Sequence, residues 1–84
     1  MAEIPRESIT LQYPIEVDGV EYTELNMRRL KVRDQLAAKK VKGDDAVQEV
    51  HLFANLCEVK PDVIEALDIK DYRAIQEVFR TFLE

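Results

Sequence analysis

His51 and Cys57 are the only histidine and cysteine in the 84-residue chain, and brought together they could serve as a base and an activated nucleophile. Both fall on one predicted helix. Six positions on a helix rotate through about 600°, so the two side chains point in quite different directions and cannot form a dyad there. Cys57 therefore reads as a small core residue, and His51 as a surface or boundary residue. The rest of the catalytic inventory is thin, because Ser8 is the only serine and there is no Gly-rich loop. No two Cys or His residues stand at ligand spacing for a metal. Asp44-Asp45 reads as a helix start, since a calcium loop needs several more oxygen ligands at set positions. The expectation is a protein that is not an enzyme and holds no cofactor and no metal.

What remains is charge. Seven of the twelve Lys and Arg residues lie between Arg28 and Lys42, with Asp34 the only acid among them. That window carries about +6, which leaves about −11 for the remainder of a chain whose net charge is −5. Arg28, Arg29, Lys31, Arg33, Lys39 and Lys40 are accordingly the candidate partner-binding residues, set against the plainer reading of a solvated strand end and helix face. The alternative function is a small DNA-binding regulator that uses residues 28–42. A sequence pI near 4.9 argues against general nucleic-acid binding, which draws its affinity from neutralising phosphates. Aromatic side chains that could stack on bases are also missing from the window. An acidic or amphipathic protein partner fits better.

The elements that must position these residues follow from patterning. Ile9, Leu11, Tyr13 and Ile15 alternate with polar residues, and Asp18-Gly19 supplies a tight two-residue turn, so residues 9–28 read as a β-hairpin. Pairing across that turn sets Val17 against Val20 and Ile15 against Tyr22, after which the apolar face breaks. One extra residue on the second strand near Thr23-Glu24 restores it, placing Tyr13 beside Leu25 and Leu11 beside Met27. Pro14 cannot donate to a ladder and marks the first strand as an edge. A lone hairpin is only marginally stable, so helices must cover its apolar face.

Val32 to Val41 reads as a helix that stops at Lys42-Gly43. Asp44 and Asp45 can cap the next, in which Ala46, Val47, Val50, Phe53, Ala54 and Cys57 share a face. Leu52, Leu56 and Val59 add a second stripe, as in a central helix touched from two sides. Pro61 suits the first turn of a short helix, and Asp68 with Asp71 resembles a capping box opening the last one. Ile69, Tyr72, Ile75, Phe79, Phe82 and Leu83 line its inner side. The surplus of apolar surface on the second and last helices could form a groove for a partner helix. The predicted fold is α+β, an N-terminal β-hairpin packed on three to four helices, with residues 1–84 as one domain (about 9–28 hairpin, about 31–84 helical). A chain this short buries only about 60% of its unfolded surface. The single cysteine permits no intrachain disulfide. No apolar run is long enough to span a membrane, and the N-terminus lacks the order of a signal peptide, which points to a cytoplasmic home.

The order of these pieces resembles the small tail assembly chaperones of contractile-tailed phages, the family of Mu-like tail proteins and tail protein E. The resemblance rests on Gly19, Leu25, Arg28, Arg29, Asp34, Ala54, Leu56, Cys57, Val59, Pro61, Leu67, Asp71, Tyr72, Ile75 and Gln76, and it covers about Ile9 to Leu83. Leu30 departs from the family pattern, in which Pro follows the Arg pair. The resemblance implies a non-catalytic chaperone, in the cytoplasm of the bacterial host, that binds the tape-measure protein and keeps this long helical tail protein soluble during assembly. Self-association is a further partner it allows, whereas a membrane is not one. It also implies a longer product made by −1 ribosomal frameshifting, for which Thr81-Phe82-Leu83 can be encoded with a slippery T TTT TTG.

Overall fold

The computed structural model describes residues 6–84, and the signal-peptide reading falls largely on residues 1–5, outside them. Strands β1 (Arg6–Val17) and β2 (Val20–Arg28) form an antiparallel hairpin, followed by helices α1 (Val32–Lys39), α2 (Asp45–Cys57), α3 (Pro61–Ala66) and α4 (Ile69–Phe82). This is the α+β architecture the patterning predicts. Helix α2 is central: α1, α3 and β2 pack against it, while α3 and α4 lie against β1. Phe53, Leu56, Met27, Val63 and Ile75 are fully buried where these elements meet. Burial of each such side chain is worth roughly 1.5–3 kcal/mol.

At the turn, Asp18 (φ 53°) and Gly19 (φ 78°) both adopt positive φ, the conformation a two-residue hairpin needs. Val17 faces Val20 and Ile15 faces Tyr22, as expected. Beyond Tyr22 the structure corrects the sequence reading. Thr10 faces Glu24, Ile9 faces Leu25 and Glu7 faces Met27. Between Ile15 and Thr10 the first strand advances five positions while β2 advances two, so the surplus is three residues and lies on β1. Its physical cause is on α4. The backbone N–H groups of Gln12 and Tyr13 donate to the two carboxylate oxygens of Asp71, at 2.8 and 3.0 Å, and Pro14 has no N–H to give. Leu11 stays buried, whereas Tyr13 is exposed and does not lie beside Leu25.

Asp71 is thus no member of a capping box. Asp68 caps α4 alone, accepting from the Lys70 N–H at 2.9 Å. On α4, Tyr72, Ile75, Phe79 and Phe82 face inward as read, but Ile69 is exposed at the first turn and Leu83 at the C-cap. On α2, Asp44 accepts from the Val47 N–H at 3.0 Å, and the buried residues are Leu52, Phe53, Ala54, Leu56 and Cys57. Ala46 and Val47, expected on the inner face, are exposed, because the first turn of α2 extends past the core.

Val47 instead covers Gly43. Gly43 has φ 133°, and a Cβ built there would sit 2.9 Å from the Val47 Cβ. Gly43→Ala combines a disfavoured backbone with a clash, and it should destabilise the fold by about 1–2 kcal/mol. Urea unfolding checks this, and Gly19→Ala, with open space around its Cβ, separates the steric part from the backbone part.

Candidate partner-binding groove

The six basic candidates divide into two groups. Arg28 makes a two-pronged ion pair with Asp34, both N···O distances being 2.9 Å. Asp34 also accepts the Lys31 N–H at 2.7 Å, which fastens the first turn of α1 to the end of β2. The Arg28 guanidinium, outweighing the opposing effect of burial and aided by the Lys31 N–H, holds the Asp34 carboxyl at about 2. Arg29 donates to the Phe82 carbonyl at 3.1 Å and lies over the Phe82 ring at 5.3 Å, tying the same junction to the end of α4. Both arginines hold elements together. Lys31, Arg33, Lys39 and Lys40 are exposed and make no ion pair among the described residues.

Those four basic residues surround a helix that is only half used. Of the eight residues of α1, only Asp34 and Ala38 are buried. Val32 and Leu36, one turn apart, are 77% and 59% exposed. Beside them runs an open groove of about 320 Å³ between α1, α2 and the end of α4. Leu30, Ala38, Leu52, Phe79 and Leu83 give it an apolar lining, and Leu83 is itself 62% exposed. Gln35 and Lys39 form the α1 wall; Asp45, Gln48 and Glu49 form the α2 wall. At about 100° per residue, Val32 and Leu36 lie within about 60° of Lys39 on the side away from Ala38. A second apolar patch, Val32 and Leu36, therefore stands on the shoulder of α1, separated from the groove by the Gln35–Lys39 wall.

The floor is built rigidly. Phe53 packs between Tyr72 and Phe79, with ring centroids 5.6 and 5.2 Å away. Glu49 accepts from the Tyr72 hydroxyl at 2.5 Å and from the Gln76 amide at 2.9 Å, locking α2 to α4 under the groove. Burial, together with the Glu49 carboxylate, pushes the Tyr72 hydroxyl above its usual range. Gln48 donates to the Val41 carbonyl at 3.1 Å and steadies the α1–α2 loop. Leu30 supplies an aliphatic side chain to the groove, and α1 starts at Val32.

His51 is half-buried, and Cys57 sits in the core 7% exposed, so the two remain apart from any shared site. Burial raises the Cys57 thiol to about 11. Native protein at pH 8 should leave a thiol reagent such as DTNB essentially unreacted over minutes, and unfolding in urea should release one full equivalent. No cluster of three or more His, Cys, Asp or Glu able to hold a metal occurs among the described residues. No helix among them is long and apolar enough to cross a membrane. Surplus apolar surface on the second and last helices pointed to a groove that includes Leu83, but not to its polar lining, Gln35, Gln48 and Glu49. A signal for the α1 side was the Val32/Leu36 pair, two aliphatics at i, i+4 in a helix otherwise polar or small.

An open groove with an apolar floor and polar walls is the kind of surface on which one protein can hold a segment of another. Over residues 8–84 the chain matches the family described as "Phage tail assembly chaperone proteins, E, or 41 or 14", and it belongs to that family. No curated protein matches it, and neither does any solved structure. Membership implies a non-enzymatic role with protein partners in tail assembly.

Proposed function

We propose that this tail assembly chaperone acts in the cytoplasm of the bacterial host by binding the tape-measure protein and keeping it soluble until the tail tube encloses it. The observation that carries the proposal is the groove, together with the exposed Val32 and Leu36 beyond its α1 wall, apolar surface left open beside a finished core. A long amphipathic helix exposed before assembly invites aggregation, and covering its apolar stripe suppresses that. Such binding has to be weak enough to be displaced later, which an open groove with solvated walls allows. Lys31, Arg33, Lys39 and Lys40 are the partner-facing basic residues of this reading, while Arg28 and Arg29 support the platform beneath them.

The test is co-expression with the long, helix-rich protein of the same tail. The expected result is a soluble, co-purifying complex with the wild-type chain. Leu36→Asp and Leu83→Asp should each cut recovery of the partner by about tenfold or more, the loss typical of a central apolar contact. Each variant should keep its own melting temperature within about 4 °C, because both side chains are exposed. Full recovery with both variants would place the partner elsewhere.

A further inference from the structure

The two walls of the groove carry opposite, unspent charge. On the α1 side Lys39 lines it, with Lys40 and Arg33 exposed beyond the Val32–Leu36 shoulder. On the α2 side stand Asp45 and Glu49, of which Glu49 is engaged by Tyr72 and Gln76. Asp45 is left as the available carboxylate. Neither Lys39 nor Asp45 forms an ion pair among the described residues, and they do not pair with each other across the gap. An occupant with two neutral flanks would leave both walls facing uncharged groups.

We infer that the groove takes an amphipathic helix with unlike flanks, carboxylates toward α1 and basic residues toward α2, and that this asymmetry fixes the direction in which the helix lies. The inference rests on the proposed tape-measure site. A helix laid apolar side down presents one flank to each wall, and turning it end for end exchanges the flanks. Charge polarity across the groove therefore rejects the reversed orientation by setting like against like. For a chaperone this matters, because a directional grip gives every copy on one helix the same polarity.

The test inverts the polarity without changing the total charge. Lys39→Glu with Asp45→Lys exchanges the two signs, and each single reversal serves as its reference. Co-expression with the tape-measure protein is expected to give about threefold lower recovery for each single variant, whose two like-charged walls clash with one flank in either orientation, and near wild-type recovery for the double variant, which takes the helix end for end. A photo-cross-linker at Gln35, on the α1 wall, should capture the acidic flank of the bound helix in the wild type and the basic flank in the double variant; capture of the same flank in both, or wild-type recovery by both single variants, would overturn the inference and leave the groove reading standing. Undiminished capture by Leu36→Asp and Leu83→Asp would overturn both. If the double variant melts early, Lys39→Gln with Asp45→Asn replaces it. That variant should bind more weakly and with a flatter dependence on salt; an unchanged salt dependence overturns the inference.

Discussion

Asp71→Ala should unfold with a loss of about 3 kcal/mol, visible as a drop of more than about 10 °C in melting temperature. Asp71 is 3% exposed, and its two oxygens are the recorded acceptors for the Gln12 and Tyr13 N–H groups. Hydrogen bonds to a charged acceptor are each worth about 1.5–3 kcal/mol, with part returned when water reaches the freed N–H groups of this half-buried bulge. For a chain of this length, total stability is about 4–13 kcal/mol, so one side chain carries a large share. Asp71→Asn keeps one acceptor but turns its NH₂ toward a donor, and should lose about 2 kcal/mol. Amide exchange supplies the specific readout. In either variant the Gln12 and Tyr13 amides should exchange much faster than the drop in global stability accounts for, whereas Ile9 and Leu25 should follow the global value.

The second large effect lies at the other end of the hairpin. Arg28→Ala strands the Asp34 carboxylate in a buried position, and should lose about 2–3 kcal/mol, somewhat below the cost of breaking a fully buried pair because Arg28 keeps some solvent contact. Charge reversal at Arg28 should cost more still, so its effect on partner recovery reports on the fold, unlike reversal at Lys39 or Lys40. The same pair sets an acid limit. Asp34 titrates at about 2 in the folded chain against 3.8 for an unperturbed group. Its contribution is therefore complete above about pH 4 and lost as pH falls toward 2. After allowance for solvent screening this is worth about 1–2 kcal/mol. Urea midpoints measured from pH 5 to pH 2 should fall for the wild type, and Asp34→Asn, already lacking that contribution, should show a shallower fall.

How legible these features were depends on the range of the interaction behind them. The Asp18-Gly19 turn, the Asp44 and Asp68 caps and the Pro61 helix start are local, set by a few neighbouring residues, and each stands where the sequence places it. The hairpin irregularity was half legible. Alternation demands an odd surplus to bring Ile9, Leu11, Leu25 and Met27 onto one face, but parity does not say which strand carries it. That choice is made by Asp71, about sixty positions along the chain, and spacing alone carries no sign of it. Asp34 and Arg28 stood six apart in an obvious charge window, yet composition could not tell a paired arginine from a free one. The groove was anticipated only as surplus apolar surface on α2 and α4. Its α1 wall and the exposed Val32–Leu36 shoulder depend on how α1 settles on Ala38, a matter of tertiary packing.

The residues behind the family resemblance are largely those the fold consumes. Arg28 and Asp34 lock the strand–helix junction, Asp71 fixes the bulge, and Tyr72 with Gln76 anchors Glu49. In the proposed reading, partner choice falls to side chains outside that set, on the shoulder of α1 and the rim of the groove.

Hydrogen exchange of the chain, free and in complex with the tape-measure protein, tests the central claim most directly. Groove binding predicts slower exchange in residues 30–39, in the first turn of α2 and in residues 79–83, with the β1–β2 turn at Asp18-Gly19 unchanged. Protection confined to the hairpin, with α1 and the end of α4 exchanging as in the free chain, would contradict it.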